Sequence, residues 1–379
     1  MGDILVEAQN AHCGCRDSDG DVDGPSMVSG QELPAWDFEK PEHGWMTLDK
    51  QAELRVVNEP GHVYKGAGSL QFSFSPRQAT EGDMPGVLLV PLQGIAGAEG
   101  LHLALQSSTS GPLLLLLREQ DESTYVYMVY VQTGDWHVLN LPLSDFILEE
   151  SAEDENGKLD LEQVTGLGVV DPALWLIAAA AGGRFPFFMT QPSRRDIWLD
   201  EVRMLPQAPQ RMRMATLEGT PARMIEDCDS DSAYWFVLGG RNLELSTSTD
   251  QALAEASLRL DYELPEKTLL AVAHVIRPGL LQGIKRIAFG VRAGAACKLA
   301  VTLKEGDKSG YTTVVEVPEG HWQQYTLPLD QFRLNDEDVD PDTGLQPEKV
   351  TSVMFTDVTA LADQKETANS LWLDEVMAQ

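Results

Sequence analysis

Apolar and polar positions along this chain alternate in short runs, and Gly, Pro and Asp clusters break the runs about every 8–12 residues. Residues 101–106 and 287–292 alternate with the period of two that a half-buried strand requires. Residues 113–117 and 125–131 read as two strands joined by an acidic turn over 119–123, and residues 298–303 and 311–317 repeat that arrangement around 306–310. Residues 136–141 form a further strand, ended by Pro142, which has no N–H to give a ladder. On 125–131 the alternation places Tyr125 and Tyr127 on one face and Tyr130 on the other. No long amphipathic helix interrupts the series. The pattern predicts an all-β chain of antiparallel β-sandwich, jelly-roll type.

The pattern also repeats. Tyr125, Trp136 and the run Leu141-Pro142-Leu143-Ser144-Asp145-Phe146 return as Tyr311, Trp322 and Leu327-Pro328-Leu329-Asp330-Gln331-Phe332, a shift of 186. Leu117-Arg118-Glu119 returns as Leu303-Lys304-Glu305 at the same shift, as do Glu162, Val164, Thr165 and Asp171 in Glu348, Val350, Thr351 and Asp357. The closing run Trp198-Leu199-Asp200-Glu201-Val202 recurs from Trp372 to Val376, a shift of 174, so the first copy carries about 12 additional residues before it. The expected organisation is an irregular, acidic, Gly-rich tail (1–32), a first module (33–206), a linker containing Pro209, Arg211, Arg213 and Pro221 (207–221), and a second module (222–379).

Composition narrows the partners. Of 379 residues, 59 are acidic and 28 basic, a net charge of -31, which repels nucleic acid and anionic lipid. The longest apolar run, 174–181, is too short for a membrane span, and the opening residues lack the basic head and apolar body of a secretory leader. Four cysteines do not make a disulfide framework at this length; Cys13, Cys15, Cys228 and Cys297 are free thiols, or a bridge joins the tail to the body or to another chain.

The order of marks resembles a known group. Phe38-Glu39, then Gly66-Ala67-Gly68-Ser69-Leu70-Gln71-Phe72, then Trp136 ahead of Leu141-Pro142-Leu143, then Trp198-Leu199-Asp200-Glu201-Val202 is similar to the galactose-binding-domain-like jelly rolls. Within them it looks most like family 11 carbohydrate-binding modules and the complex I intermediate-associated protein group. The second copy departs at its opening, with Ile225-Glu226 in place of Phe-Glu. The resemblance implies two non-catalytic modules that bind a polysaccharide or other glycan, outside the cell or on its surface. It also implies a structural Ca2+ between the first and last strands, held by Glu39 with Asp200 and by Glu226 with Asp374. Carboxylates from both chain ends are suitable hard donors for that ion.

Other candidates come from the residues themselves. Asp19, Asp21 and Asp23 in the tail are spaced like the start of a calcium loop, with Gly24 at the sharp turn, but Gly30 stands where a bidentate Glu belongs. A sugar platform needs outward aromatics, and Tyr125, Tyr127, Trp198 and Trp372 are the candidates, each of which also suits simple packing; Trp136 and Trp322 read as core. No nucleophile, metalloprotease or phosphate-loop motif is present, so an enzyme is not expected. The apolar insertion 172–192 with Trp175, Phe185, Phe187 and Phe188 is either a lid on its own module or a surface for another chain. That second possibility, with the tail pairing to a neighbour's sheet edge, describes a structural subunit of a homo-oligomeric assembly.

Overall fold

A computed structural model describes residues 32–75, 86–149, 152–173, 194–209, 213–229, 231–336, 338–340 and 344–379. The all-β expectation holds, and each half is a two-sheet antiparallel sandwich. The first sheet of the first module runs Glu53–Val57, Ser69–Phe74, Arg195–Leu205, Gly100–Ser107, His137–Pro142, with Ala35–Trp36 also paired to Arg195–Leu205. Its second sheet runs Ile147–Leu148, Thr124–Val131, Gly111–Glu119, Val164–Val170, Val87–Pro91, Met46–Thr47.

The second module repeats this order strand for strand. Arg241–Ser248, Ser257–Leu264, Thr367–Ala378, Arg286–Ala293 and Gln323–Pro328 make the first sheet; Arg333–Leu334, Gly310–Val317, Cys297–Glu305, Val350–Asp357, Leu270–Val275 and Phe236–Gly239 make the second. The linker expectation needs correction. Arg213–Leu217 is a strand that forms a hairpin with Thr220–Glu226, which in turn pairs with Thr367–Ala378. The chain therefore enters the second module at Arg213 rather than at residue 222, earlier than its Pro and Arg residues suggest.

Between the sheets of the first module lie Leu113, Leu115 and Leu117, with Tyr125, Tyr127, Val129, Phe72 and Leu199. The other side of that second sheet is apolar too. Val87, Leu114, Leu116, Val126 and Val170 point outward and are covered by Phe236 and Leu238 of the second module. Gly168 lies on this face, and a Cβ there would fall 2.5 Å from a Leu89 methyl and 2.9 Å from Leu116, so glycine permits the close packing. Tyr130 joins the second module's core cluster, while Ala233, Tyr234 and Val275 join the first module's. Burying each such large side chain contributes roughly 1.5–3 kcal/mol, so the modules form one packed unit.

Polar contacts fix the docking angle. Asp231 caps the short helix Ser232–Tyr234 through the Ala233 N–H at 2.9 Å and meets His137 Nδ1 at 2.7 Å. The Tyr234 hydroxyl accepts the Asn140 N–H at 2.9 Å. Burial works against charge on His137, but the hydrogen bond and charge of Asp231 outweigh it and raise the imidazole pKa. A His pKa raised in the folded state stabilises fully below its ordinary value of 6.5, and this contribution is lost as pH rises through the raised value. In Asp231→Asn the cap acceptor remains and the charge is gone. The variant should be less stable than the parent by about 1–3 kcal/mol near pH 6, with the gap narrowing towards pH 9. A gap in chemical denaturation that is constant across that range would exclude the ionised pair.

Candidate functional site

The strongest concentration of chemistry is duplicated. The turn between Gly111–Glu119 and Thr124–Val131 in the first module, and that between Cys297–Glu305 and Gly310–Val317 in the second, each gathers three carboxylates: Glu119, Asp121 and Asp154 in one, Glu305, Asp307 and Asp340 in the other. One oxygen from each lies within 4.8 Å of the others in its group. Their partners repeat as well. Ser123 Oγ donates to Glu119 at 2.5 Å and Ser309 Oγ to Glu305 at 2.8 Å. The Asp160 and Gln346 N–H groups donate to the same two glutamates, and the Tyr125 and Tyr311 hydroxyls to Asp154 and Asp340. Glu119 and Glu305 are 3% and 1% exposed, and burial raises both pKa values against these hydrogen bonds. These hydroxyl and amide donors are all neutral, so the negative charge is solvated by dipoles. Such a set of hard oxygens suits Ca2+. The sequence carried the signal as Glu-x-Asp at matching places in both copies, but among 59 acids that pattern does not stand out.

The carboxylates expected at the chain ends have a different immediate task. Asp200 Oδ2 accepts the Tyr64 and Lys65 N–H groups at 2.9 Å each, and Glu39 Oε1 accepts the Ala67 N–H at 2.8 Å. The two thus grip one loop from both ends of the module. Gly66 sits there with φ +75°, and a Cβ would overlap the Glu39 carboxylate at 1.8 Å, so the loop requires glycine. In the second module Asp374 Oδ2 accepts the Leu253 and Ala254 N–H groups at 2.8 and 3.3 Å. Its Oδ1 is buried without a partner among the described residues, and burial pushes its pKa up to about 6. Glu226 lies 3.7 Å from His274 and accepts the Cys228 N–H at 3.2 Å. Among the described residues, neither pair belongs to a three-carboxylate group.

The aromatic platform as expected does not form. Tyr125 and Tyr127 are 3% and 1% exposed because their face of the strand is the inner one; only the Tyr125 hydroxyl reaches a site, the carboxylate cluster. Trp198 does point away from the core, yet His62 lies flat on it, 4.0 Å between centroids and 4° between planes. Trp372 is covered by the Arg259 and Arg292 guanidiniums at 5.3 and 5.2 Å. Their residual exposures of 6% and 7% leave no free ring face for a sugar. Trp136 and Trp322, read as core, are instead half-buried beside the loops that Asp200 and Asp374 hold. Trp322 Nε1 donates to Gln251 O at 2.9 Å, whereas Trp136 Nε1 has no partner among the described residues and its ring meets Tyr64, 5.8 Å away.

The outer face of the first module's first sheet is therefore a polar field with an aromatic edge. Arg55 Nε donates to Gln71 Oε1 at 3.0 Å, Gln71 Nε2 to Asp196 at 3.3 Å, and Gln106 Oε1 faces His62 Nδ1 at 2.8 Å. Tyr64, 42% exposed, stands at the end of this field, where the second module has Leu253. Sequence reasoning passed over Tyr64 and His62 because nothing local marks a loop residue as neighbour to a strand more than a hundred positions away. The tail residues Asp19, Asp21 and Asp23 and the insertion residues Trp175, Phe185, Phe187 and Phe188 lie outside the described residues. Cys228 and Cys297 are buried free thiols.

No protein-family model and no curated protein matches the chain. Among solved structures it is similar to the family 11 carbohydrate-binding module of the cellulosomal cellulase Lic26A-Cel5E of Clostridium thermocellum, at 14% identity and TM-score 0.34, over 41% of this chain and 93% of that one. It is similar too to the family 30 carbohydrate-binding module of the cellulosomal cellulase Cel9D-Cel44B of the same organism, at 16% identity and TM-score 0.31, over 41% and 95%. The N-terminal CBM22-1–CBM22-2 tandem domain of Xyn10C from Paenibacillus barcinonensis aligns over 94% of this chain and 99% of its own, at 14% identity and TM-score 0.28.

A carboxyl whose pKa is raised by folding binds its proton more tightly in the native state, so this contribution to stability falls as pH rises and is at its least favourable above the raised value. For Asp374 that window closes at about 6. In chelator, Asp374→Asn should melt higher than the parent at pH 7.5, with the advantage shrinking below pH 6. Scanning calorimetry showing the advantage growing as pH falls would reject burial as the dominant influence there.

Proposed function

We propose that the chain is a non-catalytic carbohydrate-binding protein, stabilised by calcium, that takes its glycan on the outer face of the first module's first sheet. The observation that carries this reading is the exposed Tyr64 ring beside Trp136 at the end of a field of hydrogen-bonding side chains. A pyranose presents an apolar C–H face and a rim of hydroxyls, so it matches an aromatic edge followed by amides, imidazole and guanidinium. Around this edge Lys65, Asp135 and Gly134 are exposed, which leaves room for a chain of sugars to pass. The second module offers Leu253 at the Tyr64 position and arginines over Trp372, so it contributes support rather than a second copy of the face. A glycan partner places the protein outside the cell or on its surface.

Affinity electrophoresis in gels cast with neutral β-glucans, xylan or galactans tests the face. Tyr64→Ala should lose about tenfold or more in retardation by the polysaccharide that the parent recognises, since one aromatic contact of this kind is worth about 0.5–1.5 kcal/mol beyond the area it buries. Leu253→Ala, the matching change in the second module, should leave retardation unchanged. Equal behaviour of the two variants removes the face from the proposal.

For calcium, the twin clusters Glu119/Asp121/Asp154 and Glu305/Asp307/Asp340 and the end pairs Glu39/Asp200 and Glu226/Asp374 are the groups that would hold the ion. A ligand that binds only the folded state raises the melting temperature by mass action. Millimolar calcium should therefore raise the melting temperature of the chelated protein, and the double variant Glu119→Gln/Glu305→Gln should remove most of that rise. If the rise survives in it and disappears in Asp200→Asn/Asp374→Asn, the ion belongs to the chain ends. No rise in the parent refutes calcium stabilisation.

A further inference from the structure

Where the two modules meet, a groove of about 870 Å3 opens between them. One wall is aliphatic and belongs to the first module: Met128, Ile147, Leu148, Leu159 and Leu161. Four cations reach the same groove, Lys158 from the first module and Arg277, Lys304 and Lys308 from the second. The two acids there are occupied: Glu99 accepts the Ala208 N–H at 3.1 Å, and Glu305 is enclosed by Ser309 and Gln346. Cations thus outnumber acids in the groove of a chain whose acids outnumber its cations by 59 to 28. An aliphatic wall facing a cationic one selects an occupant with aliphatic side chains flanked by carboxylates. It lacks the exposed aromatic that the proposed glycan face has.

The chain itself carries such a segment. Asp3-Ile4-Leu5-Val6-Glu7 has three consecutive branched aliphatic residues between two acids, in a tail whose acids are Asp3, Glu7, Asp17, Asp19, Asp21, Asp23 and Glu32 against Arg16. The point where the tail joins the body is near the groove. Pro34 O accepts the Met204 N–H at 2.9 Å, the next residue Leu205 pairs with Gly100, and the neighbouring Glu99 lines the groove. Two strand spacings, about 10 Å, separate the tail's root from that rim. The residues between Glu7 and Leu33 could extend roughly 80 Å, so reach imposes no limit.

We propose that residues Asp3–Glu7 dock into the groove between the modules of their own chain, the aliphatic side chains against Met128, Ile147, Leu148, Leu159 and Leu161 and the carboxylates towards Lys304, Lys308 and Arg277. This does not depend on the glycan reading. A tethered segment acts at an effective concentration in the millimolar range, so a contact that is weak as a free peptide is well occupied in the chain. The occupied groove ties the two modules together beyond their direct interface.

The test uses the full chain. A fluorescein-labelled peptide of residues 2–9, Gly-Asp-Ile-Leu-Val-Glu-Ala-Gln, is titrated by fluorescence anisotropy against the parent and against Ile4→Asp/Leu5→Asp/Val6→Asp, which empties the groove. The emptied variant should bind with a dissociation constant of about 0.1 mM and the parent about tenfold more weakly, the ratio a millimolar tethered competitor imposes. Adding Lys304→Glu/Lys308→Glu to the emptied variant should abolish binding; the milder Lys304→Gln/Lys308→Gln, with an unchanged melting temperature, separates loss of charge from loss of fold. Equal binding to parent and emptied variant, binding indifferent to the lysine changes, or no binding up to millimolar protein overturns the proposal. Lysine-dependent binding of oligogalacturonate without peptide binding also overturns it and gives the groove to an acidic glycan. Dimers in the parent that dissociate in the emptied variant overturn the intramolecular form.

Discussion

A sheet that is apolar on both faces cannot be left half-finished, and this constraint organises the molecule. The run Leu113 to Leu117 puts Leu113, Leu115 and Leu117 between the two sheets of the first module and Leu114 and Leu116 on the outside. Val87, Val126 and Val170 extend the outer patch. Exposed, such a face invites association; here Phe236 and Leu238 close it, and Asp231 and Tyr234 set the angle through His137 and Asn140. The matching strand of the second module alternates instead: Leu299, Val301 and Leu303 enter the core, while Lys298, Ala300, Thr302 and Lys304 lie on the other face, Ala300 and Thr302 small or polar where the first module has leucine. Duplication produced two sandwiches, and divergence at alternate positions of one strand made one of them dependent on the other.

Much of the fold was legible because it is written twice. A shift of 186 shared by Trp136, Leu141 and Asp171 fixes strand equivalence whatever the propensities of the individual segments, and period-two alternation assigned Tyr125 and Tyr127 to one face and Tyr130 to the other. Alternation does not say which face is inside. Tyr125 and Tyr127 proved to face the core, and the neighbour of Tyr130 was the second module. The five-leucine run differs from the alternation of Leu299 to Leu303 as a strand apolar on both faces differs from one whose second face is small and polar. Comparing the copies for differences as well as matches would have exposed the interface. The linker was misjudged for a related reason: Pro and Arg residues mark a turn, but pairing of Arg213–Leu217 depends on the hairpin partner Thr220–Glu226.

The candidate site was less legible because its parts come from distant places. Asp200 is held against the loop at Tyr64 and Lys65, and Gln106 faces His62 across 44 positions. The twin carboxylate groups illustrate the other difficulty, an excess of candidates. What sets Glu119 and Glu305 apart is burial with neutral donors around them inside a group of three carboxylates, a property of packing that composition does not carry. The duplication shows that this arrangement survived the divergence of the two modules, whereas the surface around Trp198 and Trp372 did not: one ring lies under His62, the other under two arginines.

The charge distribution follows from the same division of labour. A net charge of -31 makes the chain strongly self-repelling, yet several acids are buried, where each ionised carboxylate must be solvated by protein dipoles. The first module solves one such case with a cation: Arg195, 2% exposed, pairs with Asp171 at 2.9 Å, the two residues flanking the insertion in sequence. The second module has Asp357 at the matching position and satisfies it with the Tyr262 hydroxyl at 2.6 Å, ahead of the short helix Thr359–Ala362. The two solutions differ in consequence. Loss of either partner of a buried ion pair strands a charge and costs about 3–5 kcal/mol, whereas loss of a single hydroxyl hydrogen bond costs about 1–3 kcal/mol. The longer first-module connection is therefore anchored by the more demanding contact, and the asymmetry between the modules extends from their surfaces to the way each holds its own crossover.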